Sequence, residues 1–260
     1  MPRMSRVVAV GVPHHVLQRA AYPPGVTPKN LDKDAQKKER EILRSDSLRR
    51  AYLQLLQQYA TVNQLRLLAY CLMPDHVHLV VVPEHKNSMA ATFRQAHTRF
   101  AQYCNTELLR GGHVWQNRYH SCPVEEPEVS NVIAYVENNP VRLGLSTHAE
   151  DFFWSSARAH LGLSGDAELM ERGLFTDILD MAWWREKWNE EKWAKALAEL
   201  EFEDWDHLRK ATHTGRPIGS PGFIAALEVD FNRRLTPGKV GRPRKKAHTV
   251  ELLHKVEAAG

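Results

Sequence analysis

Residues 70–83 read YCLMPDHVHLVVVP, and this stretch decides the fold. It joins two runs of branched apolar residues, at 65–72 and 76–82, which are typical of β-strands. Pro74 and Asp75 lie between the runs, and this dipeptide is typical of a turn. The sequence therefore predicts a β-hairpin with its polar residues at the turn.

The second strand of this hairpin carries two histidines, His76 and His78. Because side chains alternate between the faces of a strand, both imidazoles project from one face, whereas Val77, Leu79 and Val81 project from the other. Polar groups in an apolar strand cost free energy unless something binds them, and two adjacent imidazoles can hold one metal ion. The alternative is a pair satisfied within the protein, since the chain has 14 histidines and a His-x-His pair recurs by chance.

Length and composition restrict the class of protein. A chain of 260 residues is long enough for one full domain and a smaller appendage. Since no apolar run approaches bilayer length and no signal peptide is evident, we expect no membrane partner. The three cysteines, Cys71, Cys104 and Cys122, suggest neither a disulfide framework nor a zinc ribbon. These features predict a cytoplasmic protein.

Basic residues concentrate toward the C-terminus. The net charge is only +4, yet residues 211–260 are markedly basic, which predicts a polyanionic partner such as nucleic acid. Gly-Arg-Pro occurs twice in this segment and resembles the AT-hook, whose arginine enters a narrow minor groove. The candidate DNA contacts of this segment are Arg216, Arg242, Arg244 and Lys245. A solvated basic tail is the alternative.

Hydrophobic periodicity predicts the elements around the hairpin. A first strand is predicted at residues 6–12, and Val16 and Leu17 can continue it. A Pro- and Gly-rich loop is predicted at 22–33. Helices are predicted at 37–59, from Ser88 to about residue 111, and in a tryptophan-rich segment at 166–210.

Two further stretches carry groups that suit nucleic acid. The polar face of the helix after Ser88 contains Arg94 and Arg99, which can contact phosphates or be solvated. Residues 113–120 interleave aromatic and basic side chains, and Arg118 and Tyr119 are suited to phosphate contact and stacking. A strand edge is the alternative for this stretch.

A helix beginning near Pro127 carries a tyrosine beside its apolar stripe. The stripe has the helical spacing i, i+3, i+4 and i+7 and consists of Val129, Val132, Ile133 and Val136. Tyr135 and Asn139 lie one turn apart on one flank of it and can face a metal at the sheet edge. A packing role at the edge of the core is the alternative for Tyr135.

Several stretches in this order resemble the HUH-type single-tyrosine transposases, specifically the REP-associated tyrosine transposases. The stretches are PHHV at 13–16, YCLMPDHVH at 70–78, VWQNRY at 114–119, YVENNPVRLGL at 135–145 and WSS at 154–156. Their joint order is more specific than any single motif. The chain departs from the family at Asp75, where asparagine is usual, and in a longer segment at about 22–46.

This resemblance implies an α+β fold, a ferredoxin-like antiparallel sheet with helices on one face (the HUH endonuclease fold). The catalytic domain would span residues 1–165, followed by the helical segment at 166–210 and the basic segment at 211–260. The implied activity is cleavage and joining of single-stranded DNA at palindromic hairpins, by a nucleoid-associated protein. Whether the active site lies within one chain or is shared across a homodimer is left open.

The resemblance also assigns roles to individual residues. His76, His78 and Asn139 would bind Mg²⁺ or Mn²⁺, and Tyr135 would be the nucleophile that forms a 5′-phosphotyrosine. Two other activities fit the same residues: a replication initiator or relaxase-like nicking enzyme, and a non-catalytic DNA-binding regulator of this fold. A metallohydrolase is a weaker third alternative, because Leu79 and Val80 follow the histidine pair where such an enzyme needs further ligands.

Overall fold

The centre of the fold is a four-stranded antiparallel sheet with strand order β2-β3-β1-β4. A computed structural model describes residues 6–163, 178–200 and 205–237 of the chain. The strands are β1 (His14–Arg19), β2 (Leu65–Leu72), β3 (His76–Pro83) and β4 (His120–Pro123). β2 and β3 form the predicted hairpin, and the α+β fold with an antiparallel sheet is confirmed.

The first strand begins later than the sequence predicts, and the prediction of a strand at residues 6–12 is wrong. Gly11 has a φ of 74°, a left-handed conformation that turns the chain, and its N–H donates to the Pro83 carbonyl at 2.8 Å. Val7 and Ala9 are buried against residues near the C-terminus and lie outside the sheet.

The helix predicted at residues 37–59 is divided into two. α1 (Lys33–Glu39) and α2 (Asp46–Val62) are separated by a short connection. The Leu43 N–H in this connection donates to the Pro74 carbonyl at 2.9 Å instead of continuing a helix. The Ser45 hydroxyl accepts from the Leu48 N–H and so caps the start of α2.

One face of the sheet is covered by α2 and α3 (Ser88–Glu107). Both helices bury an apolar stripe against the sheet residues Val77, Leu79 and Val81. α3 begins at Ser88 as predicted and buries Met89, Phe93, Ala96 and Phe100, but it ends at Glu107, one turn before the predicted end at about residue 111.

The other face of the sheet is covered by α4 (Val129–Glu137), which is followed by the short helix α5 (Asn139–Arg142). Val132 and Val136 of α4 are buried in one cluster with Cys71 and Val80 of the sheet. Helices therefore lie on both faces of the sheet, whereas the resemblance implies helices on one face. Burial from both sides explains why β3 is buried along its whole length.

Four helices follow the short helix α6 (Ala157–His160) within the described ranges 178–200 and 205–237. They are α7 (Met181–Lys187), α8 (Glu190–Ala198), α9 (Asp206–Thr214) and α10 (Pro221–Asp230). The buried side chains Trp184, Trp193 and Leu208 of these helices join the cluster beneath α4. None of the helices among the described residues is long and apolar enough to cross a membrane.

Candidate active site and nucleic-acid interface

The histidine pair of β3 and the tyrosine of α4 lie against each other. His76 and His78 project from the face that α4 covers, and their ring centroids are 4.9 Å apart. The ring of Tyr135 lies edge-on to that of His78, with centroids 5.8 Å apart. The alternation of side chains along β3 thus places His78 next to the tyrosine of the following layer and His76 next to His78.

A chain of hydrogen bonds fixes the tautomer of His78. The Thr212 hydroxyl donates to the Leu208 carbonyl at 2.8 Å, so it accepts from His15 Nδ1 at 2.7 Å. His15 Nε2 is then an acceptor, and His78 Nδ1 donates to it at 2.8 Å. The remaining nitrogen of His78, Nε2, therefore carries a lone pair.

His76 is held in the same way by its neighbour at the hairpin turn. Its Nδ1 donates to Asp75 Oδ1 at 2.6 Å, so Nε2 is the ring nitrogen left for another partner. In both imidazoles Nδ1 is hydrogen-bonded and Nε2 is left over, the arrangement in which histidine typically binds a metal ion. The donor set of His76 and His78 fits a divalent cation on this ground.

Burial keeps the inner histidines neutral. It lowers the pKa of His15 to about 3. Burial, together with the nearby rings of His76 and His15, lowers the pKa of His78 well below its usual value. Near neutral pH, neither His15 nor His78 is an imidazolium, so no second ring proton competes with a metal ion for His78.

Tyr135 is enclosed on all sides. Its side chain is 1% exposed, and the ring of Trp205 lies 4.9 Å from it, centroid to centroid. The Arg142 guanidinium lies 5.6 Å from the centre of the tyrosine ring. A cation beside the phenol can attract a phosphate to this position.

Asn139 is buried at the junction of α4 and α5. Its Nδ2 donates to the Tyr135 carbonyl at 3.0 Å, and its Oδ1 accepts from Arg142 Nη2 at 2.7 Å. The amide oxygen that would bind a metal is therefore engaged by an arginine. The assignment of Asn139 as a ligand stays a prediction.

Three of the predicted DNA-binding residues line one cleft of about 730 Å³ between α3 and the segment before β4. Arg94 and Arg118 are exposed there, whereas Tyr119 is 8% exposed and lies under the Arg6 guanidinium, 3.7 Å from the ring centre. The cleft also contains the ring of Trp115. Its combination of cations and aromatic rings is suited to nucleic acid.

The other predicted DNA contacts are spread over the chain. Arg99 lies in a second cleft, of about 710 Å³, beside Arg50 and Tyr103. Arg216 is half-buried and follows α9. Two residues further on, the Ile218 N–H donates to the Pro123 carbonyl of β4 at 2.9 Å. The predicted contacts Arg242, Arg244 and Lys245 lie outside the described residues.

Several residues next to the candidate site carry no role in the sequence-based prediction. They are His15, which orients His78, Arg40, which pairs with Asp75 at 3.3 Å, and Arg142, Trp205 and Thr212. The match of PHHV at 13–16 marks His15 as part of the family pattern. Arg142 likewise lies within the matching stretch at 135–145. Arg40, Trp205 and Thr212 reach the site from distant segments, and no local pattern indicates their contacts with it.

The fold and the site define a class of protein: an α+β protein whose antiparallel sheet presents a histidine pair to a tyrosine on an adjacent helix. Residues 35–139, which include both histidines and Tyr135, match the family model described as "Transposase IS200 like". This match confirms the identification made from the sequence motifs, and it supports a transposase, a DNA-processing enzyme of transposition and recombination.

Individual relatives agree with this family match. The chain is 25% identical over 122 residues to a Haemophilus influenzae protein described as a REP-associated tyrosine transposase, covering 43% of this chain and 67% of that protein. Two solved structures are also similar. A REP-associated tyrosine transposase bound to a REP hairpin has a TM-score of 0.45 and 16% identity, with 68% of this chain and 90% of that one covered. A Deinococcus radiodurans structure described as a transposase has a TM-score of 0.32 and 21% identity, with 53% and 97% covered.

Proposed function

We propose that this protein is a metal-dependent single-stranded DNA endonuclease and strand transferase that acts on palindromic hairpin DNA through Tyr135. The observation that carries the proposal is one cluster of rings, in which His76 adjoins His78 and Tyr135 lies edge-on to His78. Each of the two histidines is oriented by a hydrogen bond from its Nδ1, as metal-binding histidines typically are.

The chemistry begins with attack of the Tyr135 oxygen on the phosphorus of the scissile phosphodiester. The bond from phosphorus to the 3′-oxygen breaks, which yields a 5′-phosphotyrosine and a free 3′-hydroxyl, and the phenol proton passes in net to that oxygen. Because the covalent bond retains the phosphodiester energy, a second 3′-hydroxyl can reverse the step and join strands without ATP.

His76 and His78 would hold Mg²⁺ or Mn²⁺, with further oxygen ligands from Asn139, water or the DNA phosphate. Coordination by Asn139 requires its oxygen to leave Arg142, which is then free to contact phosphate. A bound divalent ion supplies positive charge that stabilises the charge developing on the phosphate oxygens.

The substrate assignment rests on the relative described as REP-associated and on the basic surfaces of this chain. The cleft with Arg94 and Arg118 and the basic C-terminal segment would contact the phosphates of a hairpin, at the nucleoid. Since one chain supplies both the histidines and Tyr135, the active site needs no second subunit.

The test uses labelled single-stranded DNA containing a hairpin, incubated with the full-length protein and Mn²⁺ or Mg²⁺ and resolved on a denaturing gel. We expect a covalent adduct with the wild type and with Tyr59→Phe, a tyrosine of α2 remote from the site, and none with Tyr135→Phe. Joining of a second labelled strand separates a transposase from a nicking enzyme. Binding of the hairpin without any adduct would favour the non-catalytic regulator.

A further inference from the structure

The segment at residues 22–46 packs against the turn that precedes His76. Ile42 and Leu43 are 3% and 0% exposed and belong to the main core cluster. The hydrogen bond from the Leu43 N–H to the Pro74 carbonyl ties the segment directly to the hairpin turn. The segment is therefore fixed in place beside a candidate metal ligand.

Arg40 of this segment reaches the carboxylate that orients His76. Arg40 Nη2 lies 3.3 Å from Asp75 Oδ2, while Asp75 Oδ1 accepts from His76 Nδ1 at 2.6 Å. The two carboxylate oxygens thus serve different partners, and the side chains of Arg40 and Asp75 are only 15% and 8% exposed. The Arg40 guanidinium lies 5.1 Å from the ring centre of Tyr22, which also holds it within the segment.

A carboxylate is needed at position 75 to serve both partners. An asparagine has one amide oxygen, so it cannot accept from His76 and also pair with a cation through a second oxygen. Asp75 does both, because its two oxygens are equivalent acceptors. The carboxylate of Asp75 therefore links Arg40 to His76.

We propose that Arg40 is a positioning residue for the metal site: it fixes the Asp75 carboxylate, which holds the His76 ring with Nε2 available to the ion. The inference rests on the proposed function, in which His76 is a ligand. It adds that the segment at 22–46 sets the affinity for the divalent ion. Partners that orient a metal-binding histidine typically change metal affinity by about 10- to 100-fold.

The test is the affinity for Mn²⁺ of the full-length protein without DNA, measured from the electron paramagnetic resonance signal of the free ion. We expect Arg40→Gln and Asp75→Asn each to weaken binding by about 10-fold or more. Arg44→Gln removes an equal charge from an exposed side chain of the same segment and should leave the affinity unchanged. Arg40→Lys, which keeps a charged donor for Asp75, should recover most of the affinity.

The double variant Arg40→Gln/Asp75→Asn tests whether Arg40 acts on the metal site through Asp75. If Arg40 acts through Asp75, the double variant binds Mn²⁺ no more weakly than Asp75→Asn alone. An additive loss in the double variant, or an unchanged affinity in Arg40→Gln while His76→Ala abolishes binding, would overturn the inference and leave the proposed function standing. If the Arg40 effect is found but no adduct forms on DNA, the proposed function fails and the positioning role stands. Thermal unfolding of each variant establishes that it is folded.

Discussion

The ring of Trp205 lies 4.9 Å from that of Tyr135, at a tilt of 31°, and the tyrosine is almost completely enclosed. In the proposed reaction a DNA phosphate must reach the oxygen of this enclosed tyrosine, so we expect the Trp205 ring to move. Trp205 immediately precedes α9, the helix whose Thr212 holds His15. This part of the chain therefore both packs on Tyr135 and holds His15, which orients His78.

We expect Trp205→Ala to raise the rate of adduct formation several-fold, because it removes a ring that has to be displaced. The measurement is the single-turnover rate of covalent adduct formation with hairpin DNA. Trp183→Ala, which truncates a half-buried tryptophan of α7, is the control and should leave the rate unchanged. A slower reaction in Trp205→Ala would instead mean that this ring holds Tyr135 in its reactive position.

Glu137, two residues after Tyr135, holds α4 against helices that follow it in the chain. Its carboxylate is fully buried and accepts from His160 Nδ1 at 2.6 Å, from Trp193 Nε1 at 2.8 Å and from the Ser156 hydroxyl. Glu137→Ala leaves these three donors buried without an acceptor, at about 1–3 kcal/mol each. We therefore expect it to lower the free energy of unfolding by at least about 3 kcal/mol.

Urea unfolding measures this loss, with Glu126→Ala as the control. Glu126 pairs with Lys187 at the surface, where an ion pair contributes about 0–1 kcal/mol. Equal effects of the two substitutions would show that the buried network contributes no more than the surface pair.

The parts of the molecule that the sequence predicts are those set by local periodicity. Alternation along β3 predicts which face carries His76 and His78, and the apolar stripe of α4 predicts how Tyr135 is presented to them. The strand predicted at 6–12 fails because an apolar run does not reveal which surface buries it: Val7 packs against the C-terminal region. The contacts of Arg40 and Trp205 with the site join segments far apart in the chain, so periodicity carries no signal for them.

Burial of neutral histidines should make the protein unstable in acid. His14 is fully buried, and burial lowers its pKa to about 4, against hydrogen bonds with the backbone that raise it. Between this pKa and about 6.5 the unfolded chain binds the proton and the folded protein does not, so stability falls as the pH is lowered through this range. The slope is about 1.4 kcal/mol per pH unit for each such histidine.

The free energy of unfolding in urea, measured from pH 7 to pH 4.5, tests this behaviour. His14→Gln lowers stability at pH 7 but should reduce the slope below pH 6 by about 1.4 kcal/mol per pH unit. His113→Gln, at an exposed position, should leave the slope as in the wild type. An unchanged slope in His14→Gln would mean that His14 is protonated equally in the folded and unfolded states.

The basic C-terminal segment should add a salt-dependent part to hairpin binding. Replacing Arg242, Arg244 and Lys245 with glutamine removes up to three phosphate contacts, each of which changes the slope of log affinity against log salt by about 0.9 on duplex DNA. We expect weaker hairpin binding at low salt and a slope smaller by about 2–3. The measurement is a fluorescence-anisotropy titration at several salt concentrations, together with the adduct assay, whose yield at saturating DNA should be unchanged.

The control replaces Lys29, Lys33 and Lys38 with glutamine, which removes the same charge from exposed positions of the segment at 22–46. If both triple variants reduce the slope equally, the effect is one of net charge, and the C-terminal segment makes no contacts of its own with the hairpin.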